Sequence, residues 1–212
     1  MYRHMGKVVA VAVVAVVGSF APAMAQSVDG PFSGPYVGFD LGLSDGKVNG
    51  GADKFGQTDL KYGGFIGYRR QQESGLVLGA EAYLQDSKVN GATGIVFTTP
   101  PANSALLTAN LGRTWGVDAV AGLSMFDDQA LLFARAGYAN QRLSGVRTGV
   151  NPDPLITTPV SVPYAFNKGG YRLGVGLEIA IMPNLNWRID ASYTDTGPVQ
   201  QKDLLTGAVV HF

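Results

Sequence analysis

The sequence contains no cysteine and only two histidines. The first absence excludes a disulfide framework and any thiolate metal site. Charge is scarce as well: Asp, Glu, Lys and Arg make up 15% of 212 residues, and the formal net charge is zero. A chain so balanced offers no electrostatic footprint for a nucleic acid. No run of 18 apolar residues occurs, so no helix long enough to cross a bilayer is encoded. Beyond the first 25 residues there is no convincing helical periodicity either.

The N-terminus has a pattern of its own. "MYRHMGKVVAVAVVAVVGSFAPAMA" joins a basic start (Arg3, Lys7), an apolar run from Val8 to Val17 and the small-x-small end Ala23-Met24-Ala25. These are the parts of a secretory signal peptide, expected over residues 1–25 with cleavage before Gln26. Its removal takes Arg3 and Lys7 and leaves 14 basic against 16 acidic residues, with His211 the single histidine. Residues 26–34 then read as a short extension and 35–212 as one domain.

Strand alternation fills that domain. Eight segments separate an apolar from a polar face: 35–44, 60–69, 76–85, 109–125, 130–140, 169–180, 185–194 and the terminal "DLLTGAVVHF". In the last, Leu204, Ala208, Val210 and Phe212 alternate with other residues, interrupted only by Thr206. Short connections ("QQESG", "FDDQ", "MPN") follow the second, fourth and sixth segments. Longer stretches, roughly 45–59, 86–108, 141–166 and 195–202, follow the first, third, fifth and seventh. Short turns at one end and long loops at the other predict an all-β, eight-stranded antiparallel up-and-down transmembrane β-barrel.

The two faces set the orientation. The polar face carries Asp40, Arg69, Glu81, Asp118, Arg135, Arg172, Glu178, Arg188 and Asp190, with Lys61 and His211. Turned inward, these charges need mutual neutralisation and small neighbours, which Gly38, Gly42, Gly67, Gly79, Gly116, Gly137, Gly174 and Gly176 supply. A hairpin symmetric about Pro183 would set Glu178 opposite Arg188, and folding about "FDDQ" would bring Asp118 diagonally close to Arg135. The apolar face carries rings near both strand ends. Tyr62, Trp115, Tyr138, Tyr171 and Tyr193 fall towards the long connections; Tyr68, Trp187 and Phe212 fall towards the short ones. Two such girdles fit two membrane interfaces. The rival reading is a soluble lipocalin-like barrel with its charges outward and an apolar pocket within.

"GPYVGFDLG", "LFARAGY", "RLGVGLEIA", "WRIDASYTDTG" and the terminal "VVHF" resemble the OmpA-like β-barrel surface proteins of alphaproteobacteria over residues 34–212. The resemblance implies an eight-stranded barrel in the outer membrane of a Gram-negative cell. It also implies that the barrel-assembly machinery reads the C-terminal aromatic strand. Larger relatives add a peptidoglycan-binding domain; the sequence stops at Phe212, so cell-wall tethering is not carried over.

Reactive chemistry is sparse. His211 lies on the polar face at the base of the last strand, without the serine and carboxylate partners that acyl or peptide hydrolysis requires. The acidic residues Asp53, Asp59 and Asp153 of the long connections lack calcium-loop spacing. No catalytic, cofactor-binding or metal-ligating residue is expected, and no cofactor. The expected role is structural: envelope integrity and display of surface loops, with an ionic network plugging the interior. A small porin-like channel is the alternative. The expected partners are outer-membrane lipid, lipopolysaccharide and the assembly machinery, with no nucleic acid, and the barrel is expected to be a monomer.

Overall fold

A computed structural model describes residues 30–49, 54–87, 92–98, 103–150 and 159–212. The signal peptide and residues 26–29 of the expected extension lie outside the described residues. Nine strands follow one another: β1 (Gly34–Asn49), β2 (Lys54–Gln71), β3 (Leu76–Ser87), β4 (Ala92–Thr98), β5 (Asn103–Met125), β6 (Ala130–Val150), β7 (Pro159–Met182), β8 (Leu185–Asp195) and β9 (Val199–His211). Each pairs antiparallel with its neighbour along the sheet, β1 pairs with β9, and β3 pairs with β5. Those last two pairings close the sheet. β4 continues the line of β3 along β5, so the cylinder has eight staves.

Closure follows from the pattern of side chains. Along every stave the even-period alternation sends one set to the axis and the other to the outer wall. Val37, Phe39, Leu41 and Leu43 point outward on β1, while Tyr36, Asp40 and Ser44 are buried. Leu132 and Tyr138 point outward on β6, while Leu131, Phe133 and Arg135 are buried. The soluble, charge-outward alternative is thereby excluded. Large apolar side chains such as Ile66, Val117 and Val175 are more than half exposed, an arrangement stable only where the surrounding solvent is itself apolar. Thr206, the one polar interruption of the terminal strand, accepts the Trp187 indole N–H at 2.8 Å and donates to the Arg188 carbonyl at 3.2 Å. Its hydroxyl is therefore satisfied on the outer wall.

The expected long loops are mostly strand. β1 runs on to Asn49 and β2 starts at Lys54; β5 starts at Asn103; β6 and β7 continue to Val150 and from Pro159. Hairpin pairing extends past the membrane because each ladder residue satisfies its own backbone, wet or dry. The stretch 195–202 is a tight turn, not a loop. Thr196 N–H bonds the Val199 carbonyl at 3.0 Å, Gly197 adopts φ +85°, and its N–H donates to Asp195 Oδ1 at 2.7 Å. Above Tyr171, where β8 ends, β7 pairs with β6 alone, so this ribbon projects from the barrel.

At the opposite end the connections are short. Gly75 (φ +80°) turns β2 into β3. Between β5 and β6, Phe126, Asp127 and Asp128 all have left-handed backbone, φ 56°, 52° and 64°. Ser124 and Gln71 hold this turn through the Asp128 carboxylate. Non-glycine residues in that region are costly. Asp127→Gly is expected to raise barrel stability by about 0.5–1 kcal/mol in urea titrations read by unboiled gel mobility. Val175, midway along the outer wall of β7 between Tyr171 and Ile179, tests the facing. Val175→Arg is expected to cost about 2–4 kcal/mol and to deplete heat-modifiable folded protein, while Glu73→Arg in an exposed turn leaves yields unchanged.

Candidate functional site: the closed interior

The interior is filled from end to end. At the turn end Phe32, from the segment preceding β1, packs with Val77, Val120, Leu131 and Phe133. Its N–H donates to Gln71 Oε1 at 3.3 Å, and Gln71 N–H donates to Ser33 Oγ at 2.8 Å. At the loop end Val48, Leu111, Leu143 and Val199 form a second apolar layer with Tyr164 against it. Polar groups occupy the space between these plates.

Three ionic tiers and a capping ion pair rise from the turn end. Arg69 forks onto Glu178, both N–H groups at 2.8 Å. Asn186 donates to the same carboxylate at 3.0 Å, and His211 Nε2 lies 3.3 Å from it. In the middle tier Glu81 accepts from Arg188 at 2.6 and 3.3 Å, from Arg135 at 3.2 Å and from the Tyr36 hydroxyl at 3.1 Å. Asp190 bonds Arg135 and lies 3.5 Å from Arg188 Nε. Above them Asp118 sits 3.6 Å from Arg172 and 3.9 Å from Arg135 Nε, while Asp40 accepts from Gln85 at 2.7 Å. Lys61 and Asp203 close the column at 2.7 Å, with Ser44 donating to the same carboxylate at 2.7 Å.

All nine charged positions expected inside are buried there. The pairing differs from the expectation at one point. Glu178 and Arg188 do stand opposite in the β7–β8 register, but Glu178 is claimed by Arg69 across the barrel and Arg188 by Glu81. Both guanidiniums reach across the axis to the stave directly opposite, Arg69 from β2 to β7 and Arg188 from β8 to β3. Asp118 and Arg135 do approach diagonally. Lys61 was expected on the inward face, but its partner Asp203 was not; Asp203 shares the parity of His211 on β9, which was the available signal.

The inward rings went unassigned in the sequence. Arg69 lies over Tyr36 and Arg172 over Tyr83, each with Cζ 4.1 Å from the ring centroid. Arg188 is sandwiched between Phe65 and Phe133 at 4.5 Å from each. The interior glycines serve these rings as much as the charges. A Cβ on Gly38 would lie 2.1 Å from the Phe65 ring, and one on Gly176 2.4 Å from Phe133. Desolvated guanidinium stacking of this kind adds roughly 2 kcal/mol per pair. Among the described residues the column holds six carboxylates (Asp40, Glu81, Asp118, Glu178, Asp190, Asp203) against Lys61, Arg69, Arg135, Arg172 and Arg188, with His211 beside Glu178. Charges of opposite sign are thus nearly matched within one low-dielectric space.

On the outer wall the expected girdle residues stand near the two rims. Trp115 and Tyr138 meet edge to face at 6.0 Å, Tyr171 and Tyr193 meet tilted at 6.2 Å, and Tyr138 is the ladder partner of Tyr171. Tyr62 occupies the same end of β2. Tyr68 and Trp187 lie at the turn end, as does Phe212, whose N–H bonds the Pro35 carbonyl at 3.1 Å.

A closed antiparallel cylinder with an apolar outer wall and its charges turned to the axis defines a membrane-spanning barrel of the outer-membrane type. The chain belongs to the outer membrane protein beta-barrel domain family, whose model matches residues 11–212. It is 28% identical over 199 residues to the 31 kDa outer-membrane immunogenic proteins of Brucella melitensis and Brucella suis, covering 84% of this chain and 76% of theirs. Among solved structures, the attachment invasion locus protein Ail of Yersinia pestis superposes with a TM-score of 0.51 at 12% identity, over 84% of this chain and 99% of Ail. Neisserial surface protein A gives 0.51 at 14% identity, over 85% of this chain and 98% of the neighbour. These two likenesses establish the fold. Family and relatives together place the protein in the outer membrane.

The interior assignment yields a double-mutant cycle. Removing one partner of a buried pair leaves the other charge uncompensated, so Arg69→Met alone should cost about 3–5 kcal/mol in urea unfolding. Adding Glu178→Met should recover much of that loss. The Glu178–Arg188 cycle, by contrast, should give the smaller coupling.

Proposed function

We propose that the protein is a non-conducting, non-catalytic structural barrel that strengthens the envelope and carries its hairpins on the cell surface. The observation that supports this reading is the closure of the ionic column by an apolar layer at each end, Phe32 with Leu131 and Phe133 below, Val48 with Leu111 and Leu143 above. An ion entering the barrel would have to cross both dry layers and break paired charges between them. Eight staves leave room for interior side chains and little more. The projecting β6–β7 ribbon supports the display role: a rigid cylinder holds a long hairpin clear of the lipid, where loops carry recognition. In this reading outer-membrane lipid and lipopolysaccharide surround the wall, the assembly machinery engages β9, and the barrel works as a monomer.

Planar-bilayer recording tests the proposal. The purified barrel is expected to give no conductance steps above background; regular unitary steps abolished by boiling the sample would replace the plug with a channel. Protease added to intact cells should cut within the β6–β7 ribbon beyond Tyr138 and Tyr171 and leave the barrel intact.

A further inference from the structure

The longest strand edge left unpaired among the described residues runs along β7. From Pro159 to Gly170 this strand pairs with β6 alone, because β8 ends opposite Tyr171 at Asp195. On β5 the matching place is filled, since β4 continues the line of β3. Beside β7, above β8, no described strand does the same.

The ladder fixes which backbone groups this edge presents. Ala180 N–H bonds the Gln129 carbonyl at 2.9 Å, so Ile179 and Ala130 form a non-hydrogen-bonded pair. The register is continuous from there to Pro159, and the odd-numbered residues of β7 therefore turn their N–H and C=O away from β6. Above Tyr171 those groups face the open side. Pro159 and Pro163 supply no donor, which blunts the tip. Ala165, Asn167 and Gly169 each offer a donor and an acceptor, so a guest strand can exchange both bonds at three consecutive places.

The side chains along the edge have a character of their own. Tyr164 packs on the loop-end apolar layer and stacks on Phe166 at 5.9 Å, which puts the even-numbered residues on the face over the barrel mouth. Lys168 Nζ lies 5.9 Å over the Phe166 ring, and Val162, Phe166 and Lys168 are all exposed. Across 141–170 three basic residues, Arg142, Arg147 and Lys168, stand against the single acid Asp153. At the foot of the open side Asp195 is already bonded by the Gly197 N–H, the Tyr193 hydroxyl and Gln200.

We infer that the open side of β7 is a strand-addition site for an extended segment of a partner protein, one with an acidic residue two places before an aromatic or branched apolar residue. The inference deepens the display reading and rests on it, because the ribbon must stand clear of the lipid for a guest to reach it. Main-chain bonds to Ala165, Asn167 and Gly169 supply the affinity, and side chains supply the choice. In the antiparallel direction already used by β4 and β8, the acid meets Lys168 and the apolar residue meets Phe166. A second copy of this chain is the poorer guest. Its own ribbon carries the same excess of basic residues, and its prolines withhold donors at 159 and 163.

The probe is the acetylated peptide Thr-Val-Glu-Val-Phe-Val-Thr, added to the full barrel in detergent. The amides of Ala165, Asn167 and Gly169 are expected to exchange hydrogen at least about tenfold more slowly with peptide present, while those of Phe166 and Lys168, already held by β6, stay unchanged. Ala165→Pro removes a donor from the open side and leaves the β6 ladder whole. It should weaken peptide binding, read by fluorescence anisotropy, about fivefold. Replacing the glutamate of the peptide by lysine should cost about threefold to fivefold, and Lys168→Glu should reverse that preference. Unboiled gel mobility checks that each variant is folded. Absence of protection, protection that ignores residue parity, or affinity indifferent to Ala165→Pro overturns the site. Protection of the same amides that grows with protein concentration, without peptide, overturns the foreign partner and assigns the edge to a second copy. Cleavage of the ribbon on intact cells with no protection by peptide would leave the display reading standing and remove this inference alone.

Discussion

Hydrocarbon accepts no hydrogen bonds, and from that constraint the rest of this structure follows. Every backbone amide in the wall must find its partner within the sheet, so the sheet has to return on itself, and the β1–β9 and β3–β5 pairings accomplish this. Once closed, the wall has one lipid side and one axial side. Strand alternation then assigns every second residue to each without further choice. The charged side chains have one place to go, and they fill it.

What they build there combines two kinds of contact. Carboxylates are shared between arginines, as Glu81 is between Arg188 and Arg135, so that a few acids neutralise several strands at once. The faces of the same guanidiniums are covered by inward rings, and those rings fit because the facing positions are glycine. Charge, ring and glycine thus form a single packing unit repeated along the axis. The bonding is uneven: Glu178 accepts from two side chains, whereas neither oxygen of Asp118 accepts any hydrogen bond from protein. The turn-end half is the better tied of the two.

The architecture was legible in the sequence because period-2 alternation survives wherever the two sides of a strand meet different solvents. Leu177 and Ile189 outward, Glu178 and Arg188 inward, could be placed from parity alone. Partner choice within the column could not, because it depends on reach across the axis, and strand order gives nearest neighbours only. Strand ends were misjudged for another reason. Beyond the membrane both faces of a ribbon meet water, so 141–150 and 159–166 lose their alternation of polarity although the ladder continues. Phe32 was invisible as a core residue because it precedes the first alternating segment and its partners lie on strands remote in sequence.

That remoteness bears on how the molecule is made. In its buried seat Phe32 packs on β3, β5 and β6 and lies 6.5 Å from the His211 ring on β9. Contacts between such distant parts of a chain form only after the intervening loops have closed. The seat of Phe32 exists only where β3, β5 and β6 have come together, so the floor of the barrel is a product of the closed fold and not of the N-terminal segment itself.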